Sequence, residues 1–172
     1  NKVEFDAAVL AMPAPQAARI VSDEKVQYEL SQVKFNPVLV AWVALSELDK
    51  FAGIFVNQDS DISLLINEGS KQNDDFNILT IYSTHEFASN EINNLESAKA
   101  KLIEKAKKLL NNSSDEIESG IMRWTLAQPE FSTRPKLPSN LAIVGDAYAE
   151  NPRIENAWLD GSRVLDQLSA IL

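Results

Sequence analysis

The order of the apolar segments constrains the fold of this chain more than any other feature of its sequence. An apolar run one strand long, residues 5–12, ends at Pro13 and Pro15, and a second short run, residues 141–144, lies near the other end of the chain. Successive apolar positions are typical of a strand that is buried on both faces, as in a parallel or mixed sheet. The residues between the two runs follow a different pattern, so we predict that these two strands bracket an inserted region.

That inserted region is predicted to form an antiparallel sheet. Four segments are rich in β-branched or aromatic residues and are bounded by Asn, Asp, Gly or Ser. They are residues 38–45, 62–67, 76–83 and 121–128. The short spacing between them favours antiparallel pairing, with turns at residues 57–61 and 72–75.

Three helices are predicted. The first covers residues 16–21, and the second covers residues 95–110, with an apolar stripe at three- and four-residue steps and lysines on a solvated face. The third begins at Asn151 and Pro152, an N-cap followed by proline at the first helical position. Its apolar positions are Ile154, Ala157, Trp158, Val164, Leu165, Leu168 and Ile171. The predicted fold class is therefore α+β: an antiparallel or mixed sheet with packed helices, flanked by strand–helix pieces of an incomplete α/β domain.

Composition excludes several classes of function. The net charge of −9 is a poor match for DNA, RNA or an anionic membrane, and no apolar run is long enough to cross a bilayer. The chain has no cysteine and one histidine, His85, which excludes disulfides, thiolate chemistry and a histidine metal cluster, so no metal site is predicted. The absence of cysteine is compatible with the cytoplasm, which is the expected location.

The segment from residue 141 to residue 162 carries the chemistry. Its strand delivers Gly145 to a point where no side chain blocks a ligand, and Asp146 can accept hydrogen bonds from the hydroxyls of a ribose or ribityl chain. The next helix presents free N–H groups at Arg153, Ile154 and Glu155, and its positive N-terminal end suits an anion or an electron-rich carbonyl.

These residues resemble a known family signature. Residues 141–148 (Leu-Ala-Ile-Val-Gly-Asp-Ala-Tyr) and 153–161 (Arg-Ile-Glu-Asn-Ala-Trp-Leu-Asp-Gly) resemble the C-terminal flavin signature of the FAD-dependent amine oxidase superfamily, in its renalase-like branch. Residues 5–17 resemble the strand that re-enters the flavin domain in that family. Residues 121–129 resemble its Arg-Trp strand, and residues 83–87 fall where renalase-like proteins have a strand end.

The resemblance implies a discontinuous FAD domain, residues 1–22 and 139–172, with a substrate domain, residues 23–138, inserted into it. It also implies hydride transfer from a small-molecule substrate to flavin, which the protein positions. The flavin contacts would be Gly145, Asp146, Arg153, Ile154, Glu155 and Ala157.

The chain departs from the family pattern at several points. It has no Gly-x-Gly-x-x-Gly fingerprint for the ADP half of FAD. A partner is therefore expected in an N-terminal FAD-binding portion of the same protein, and this chain alone is expected to be inactive and to bind FAD weakly. Asp146 replaces the Glu of many amine oxidases, and Asn156 and Asp160 replace a frequent Gly and Ser.

Two further residues are candidates for substrate contact. His85 lies at the predicted end of an apolar strand, and its alternative interpretation is a surface histidine. Arg123 is predicted to face a flavin or an anionic substrate, with a surface ion pair as the alternative. Trp42, Trp124 and Trp158 are predicted to be core residues. The alternative function for the whole chain is a non-catalytic α+β module that binds a small apolar ligand or a partner protein.

Overall fold

The computed structural model describes residues 4–168, so the predicted helical position Ile171 lies outside the described residues. The chain divides into two compact units. We call Asn36–Ala127 the inner unit, and we call the described parts of Asn1–Phe35 and Gln128–Leu172 the outer unit. The sequence placed the corresponding boundaries at residues 22/23 and 138/139.

The elements are named in chain order. The strands are β1 (Ala8–Leu10), β2 (Phe35–Leu45), β3 (Gly53–Phe55), β4 (Ile62–Asn67), β5 (Ile78–Ser83), β6 (Glu116–Pro129) and β7 (Leu141–Ile143). The helices are α1 (Ala14–Ala17), α2 (Glu24–Ser31), α3 (Glu68–Gln72), α4 (His85–Glu91), α5 (Leu95–Leu109), α6 (Ile154–Ser162) and α7 (Val164–Leu168). A short 3₁₀ helix covers Asp146–Tyr148.

The inner unit contains a five-stranded sheet in the order β3-β4-β5-β2-β6. The pairs β3–β4, β4–β5 and β5–β2 are antiparallel, which confirms the sheet type predicted for the middle of the chain. Burial alternates along β5, as the period of a strand with one covered face requires. The covered face packs with α5, whose Ala98, Leu102 and Ala106 are buried as the predicted stripe requires, whereas Leu109 is exposed and Ile103 is buried.

The outer unit contains a two-stranded parallel sheet in which Val9 of β1 is opposite Ala142 of β7. Its core is smaller and draws on β1, α1, α2 and β7. The buried residues are Leu10, Ala14, Ala17, Val26, Leu30, Val33, Ile143 and Ala147. The strand predicted over residues 5–12 is shorter than expected, because β7 offers a ladder to only three residues of β1.

Several elements were not predicted, although the sequence carries a signal for three of them. Asp23, Asn67 and Thr84 each cap a helix, because their side chains accept hydrogen bonds from first-turn N–H groups of α2, α3 and α4. Each of these residues is a preferred N-cap type, which is the recognisable start signal. Helix α1 begins at Ala14, with Pro13 as its N-cap, rather than at residue 16.

The third predicted helix differs most from its prediction. It begins at Ile154 rather than at Pro152, and Arg163 separates α6 from α7. Trp158 is 70% exposed and Ile154 is 88% exposed, so the prediction of Trp158 as a core residue is wrong for this chain. Trp124 is also 53% exposed, so its prediction as a core residue is wrong as well. Trp42 is half-buried beside Gly120.

Among residues 4–168, no helix combines the length and the apolar character needed to cross a lipid bilayer.

Candidate functional site

A cavity of about 250 Å³ lies at the end of β7, and all of its lining belongs to the outer unit. Most of the lining is apolar, and the polar exceptions are the Gly145 backbone, Asp146 and Tyr148. The lining residues are Ala11, Met12, Pro13, Ala14, Phe35, Val144, Gly145, Asp146, Ala147, Tyr148 and Ala157. An apolar cavity with a few polar groups is the usual form of a small-molecule or cofactor site.

Gly145 leaves one wall of this cavity without a side chain. Its backbone is extended, with φ 160° and ψ 178°, a conformation that any residue can adopt. The position that a Cβ would occupy has no atom within 4 Å among the described residues. The packing of this chain therefore does not require glycine at position 145, and a ligand can approach the backbone there.

The turn at Gly145 is held by Asp160 and Arg134. The Gly145 N–H donates to Asp160 Oδ2 at 2.9 Å, and the Arg134 guanidinium donates to Asp160 Oδ1 and to the Ile143 carbonyl oxygen. The same guanidinium lies over the Tyr148 ring, 4.4 Å from its centroid. We call Arg134 and Asp160 the clasp, because together they join the end of β7 to α6.

The clasp was missed by sequence reasoning. In the sequence, Asp160 stands out only as a departure from the family pattern, and Arg134 lies in an irregular segment 26 residues away. A charged pair at that separation has no periodicity that would connect its members. The charge-assisted hydrogen bonds between them depend on how the chain folds back.

Asp146 and Tyr148 are the two side chains of the cavity with polar atoms. Within the described part of the chain, no hydrogen-bond donor reaches the Asp146 carboxylate. The Tyr148 hydroxyl oxygen is buried, and no described residue hydrogen-bonds to it. Burial raises the pKa of Tyr148 to about 12; the Arg134 charge opposes this rise and the Asp160 charge adds to it.

The predicted cofactor contacts separate into two groups. Gly145, Asp146 and Ala157 all line the cavity. Arg153, Ile154 and Glu155 are exposed and do not belong to its lining. Arg153 is the N-cap of α6, and no side chain caps this end of the helix. The first-turn N–H groups of α6 are therefore not occupied by a side-chain cap.

The two tentative substrate residues belong to the inner unit, and neither is among the residues that line this cavity. His85 is exposed and begins α4, directly after its Thr84 cap, so it starts a helix and does not end a strand. Arg123 is exposed in β6, between Met122 and Trp124, which are also exposed. Among the described residues, Arg123 forms no ion pair. No group of three metal-ligating side chains occurs within residues 4–168.

Comparisons with known proteins give a similarity of fold. No protein-family model matches the chain, and no curated protein matches it in sequence. Solved structures do match. An oxidoreductase from Methanosarcina mazei is 16% identical to this chain, with a TM-score of 0.67. The match covers 95% of this chain and 43% of the chain of that oxidoreductase.

Two further structures agree with it. A putative protoporphyrinogen oxidase from Exiguobacterium sp. 255-15 is 14% identical, with a TM-score of 0.64, and covers 94% of this chain and 41% of its own. A reduced UDP-galactopyranose mutase is 10% identical, with a TM-score of 0.66, and covers 99% of this chain and 43% of its own. At these identities the similarity establishes the fold alone. The chain spans about two fifths of the length of these structures, and its α+β fold is that of a portion of each.

Proposed function

We propose that this chain is the C-terminal portion of a FAD-dependent oxidoreductase of the amine oxidase type, in its renalase-like branch. The observation that carries the proposal is the cavity at the end of β7, where Gly145, Asp146 and Ala157 of the flavin-like signature come together. Support also comes from the shared fold with proteins that are named as oxidoreductases. In the intact enzyme, the inner unit would serve as the substrate domain.

The size of the cavity supports a site for part of a cofactor. Its volume of about 250 Å³ is below the roughly 300–1,000 Å³ of complete ligand pockets. This space suits the flavin ring edge and the ribityl chain, and the ADP half requires a dinucleotide-binding segment that this sequence does not contain. We therefore propose that an N-terminal FAD-binding portion of the same protein supplies the rest of the site.

The outer unit has the surface that such a portion would cover. A parallel sheet is normally buried on both faces, and two strands alone are marginally stable. Here Val9, in the middle of β1, is exposed, as are Ile154 and Trp158 on α6. Additional strands and helices of an α/β domain would bury these side chains.

Each contact residue has a distinct role in the proposal. Bound flavin would supply the redox chemistry by accepting a hydride from the substrate. Gly145 allows the cofactor to approach the backbone, and Asp146 accepts hydrogen bonds from ribityl hydroxyls. The N–H groups of Ile154 and Glu155 lie at the positive end of α6, where they favour an electron-rich carbonyl of the ring. His85 and Arg123 are the proposed substrate contacts.

The test compares Gly145→Ala with Gly53→Ala in the full-length protein. A Cβ at position 145 meets no atom of the described chain within 4 Å, and a Cβ at Gly53, in the inner unit, meets atoms only at 3.5 Å or more, so both variants should fold. The wild-type protein should show flavin absorbance or take up FAD. Gly145→Ala should weaken FAD binding by at least about tenfold, because its methyl group occupies the approach path of the cofactor. Gly53→Ala should bind FAD as the wild type does.

A colourless full-length protein that cannot be reconstituted with FAD contradicts the proposal. That outcome would favour the second candidate, a non-catalytic module that uses the exposed apolar residues of α6 to bind a partner protein. We also expect the isolated 172-residue chain to bind FAD weakly or not at all, and tight stoichiometric binding in a calorimetric titration would contradict this expectation.

A further inference from the structure

The clasp contacts residues that line the cavity, although neither Arg134 nor Asp160 belongs to the lining. Asp160 Oδ2 accepts a hydrogen bond from the Gly145 N–H. The Arg134 guanidinium donates to the Ile143 carbonyl oxygen and lies over the Tyr148 ring. Because Gly145 and Tyr148 are lining residues, this one ion pair holds the end of β7, the turn and the 3₁₀ helix beside the cavity.

The helix itself does not account for an aspartate at position 160. Asp160 lies in the last turn of α6, where the partial negative charge of the helix end disfavours a carboxylate, and that turn has no basic residue. The Asp160 side chain is only 18% exposed, so its charge also needs partners within the protein. Arg134 and the Gly145 N–H are those partners. The contacts of Asp160 with the end of β7 therefore explain why a carboxylate is tolerated in this turn.

The clasp joins two walls of the cavity. Ala157 lies one helical turn before Asp160 in α6 and lines the cavity together with Gly145. The Gly145 N–H already donates to Asp160, so a ligand at this wall contacts it by close packing and does not take a hydrogen bond from that group. Close packing requires walls that are held to within a fraction of an ångström, which is the usual task of supporting hydrogen bonds around a site.

We propose that Arg134 and Asp160 are positioning residues of the proposed cofactor site, which hold Gly145 and Ala157 at the separation that the flavin part of FAD requires. This inference rests on the proposed function, since it takes FAD as the occupant of the cavity. Walls that are fixed in advance reduce the ordering that accompanies binding. Loss of either member of the clasp therefore weakens FAD binding, although neither side chain lines the cavity.

The experiment compares Asp160→Ala, Asp160→Asn, Arg134→Met and the double variant Asp160→Ala/Arg134→Met in the full-length protein. Asp160→Asn keeps an acceptor oxygen for the Gly145 N–H, and Arg134→Met keeps an unbranched apolar chain without the guanidinium. If Asp160→Ala does not fold, the milder Asp160→Asn and Arg134→Met carry the same comparison. The dissociation constant for FAD is measured by flavin fluorescence at a temperature where every variant is folded, and the melting temperature is measured without FAD.

Val26→Ala is the matched control for stability. Val26 is buried in the core of the outer unit and is not part of the cavity lining. Removing two of its methyl groups leaves a small void and lowers the melting temperature, but it does not touch the clasp. The dissociation constant of a folded protein does not follow its stability, so Val26→Ala should bind FAD as the wild type does.

The clasp variants should bind FAD more weakly than this control. Asp160→Ala and Arg134→Met should each raise the dissociation constant by about 3- to 10-fold, the equivalent of one net hydrogen bond. Asp160→Asn should bind FAD more tightly than Asp160→Ala, because the Gly145 N–H keeps an acceptor. The double variant should bind no more weakly than the weaker single variant, because one substitution already opens the clasp.

Four results would count against the proposals. Unchanged dissociation constants in both single variants overturn this inference and leave the flavin proposal standing. An equal loss of binding in Val26→Ala also overturns it, because binding would then follow stability. Asp160→Asn binding as weakly as Asp160→Ala, or additive losses in the double variant, would show that the two residues do not act together on the Gly145 turn. If the wild-type protein binds no FAD, the proposed function itself fails.

Discussion

The inner and outer units of this chain bury their apolar residues to different degrees. The inner unit has 14 residues in one buried cluster, drawn from three strands of its sheet and from α4 and α5. Within residues 4–168, the outer unit has eight residues in its cluster and a two-stranded sheet, and none of the residues of α6 is buried. The described part of the outer unit thus leaves apolar side chains such as Ile154 and Trp158 exposed, and the proposed N-terminal portion would cover them.

The two units also differ in how charged groups hold their loops. In the inner unit, Lys105 of α5 lies 2.8 Å from Asp59 and 2.7 Å from Asp61 of the β3–β4 turn, and it ties that turn to the helix. In the outer unit, the clasp of Arg134 and Asp160 holds the Gly145 turn beside a cavity. The first arrangement joins a turn of the inner sheet to a helix, and the second orders a turn beside a cavity.

The largest expected effect comes from one kind of substitution, isoleucine to alanine, made once in each unit. Ile81→Ala removes a fully buried side chain from the inner core and should reduce the free energy of unfolding by about 2–5 kcal/mol. Ile154→Ala in α6 removes an 88% exposed side chain and should change it by less than about 0.5 kcal/mol. Urea denaturation of this chain, followed by tryptophan fluorescence, measures both.

The same pair sharpens the comparison when it is repeated in the full-length protein. If an N-terminal portion covers α6, Ile154→Ala should become clearly destabilising there, while the effect of Ile81→Ala stays similar. An Ile154→Ala variant that is neutral in both forms would contradict the proposed covering of α6.

An intermediate effect is expected at the clasp. Asp160→Ala leaves the Gly145 N–H and the partly buried Arg134 guanidinium without their acceptor, and it should cost about 1–3 kcal/mol of stability. Asp146→Ala is the matched control, because no described donor reaches that carboxylate, and it should be nearly neutral. Thermal unfolding of the two variants makes the comparison, and equal melting temperatures would mean that the clasp does not stabilise the turn.

The smallest effect is a dependence on pH in the inner unit. Burial alone raises the pKa of Asp59, but hydrogen bonds from Lys105 and from the N–H groups of Asp61 and Ile62 outweigh it, and the net pKa is lowered. The hydrogen bond from Lys105 likewise lowers the pKa of Asp61, against burial. Stability from both carboxylates is therefore present above their unfolded pKa of about 3.8 and is lost as the pH falls through their lower folded pKa values.

The contribution of Lys105 to stability depends on pH in the opposite direction. Burial lowers the pKa of Lys105, but the hydrogen bonds to Asp59 and Asp61 outweigh burial, and the net pKa is raised above 10.5. The stability that Lys105 contributes is therefore fully present below about pH 10.5 and is lost as the pH rises through the higher folded pKa. Lys105→Met should therefore flatten the melting temperature profile at both extremes of pH. Lys101→Met, which removes a more exposed pair with Glu91, should leave the profile unchanged. If Lys105→Met leaves the dependence of the melting temperature on pH unaltered, the ion pairs of Lys105 with Asp59 and Asp61 do not stabilise the inner unit.

The local pattern of the sequence predicted the elements that depend on neighbouring residues. Strand β4 occupies residues 62–67 as predicted, and α5 ends one residue before its predicted end, because strand alternation and helical periodicity are visible over short distances. The caps of α2, α3 and α4 could have been identified in the same way. Strand β3 is three residues long and exposed, and it offers no comparable pattern.

The sequence alone determined the α+β class, the antiparallel inner sheet and the position of Gly145 and Asp146 after a short buried strand, since these follow from periodicity and from a contiguous motif. It could not show that Trp158 and Ile154 face outward, because an apolar stripe marks a surface that needs covering and does not say whether this chain covers it. It also could not show that Arg134 meets Asp160, or that no residue of the described chain hydrogen-bonds to the Tyr148 hydroxyl. Those facts depend on which distant segments meet at the end of β7, and that meeting exists only in the folded chain.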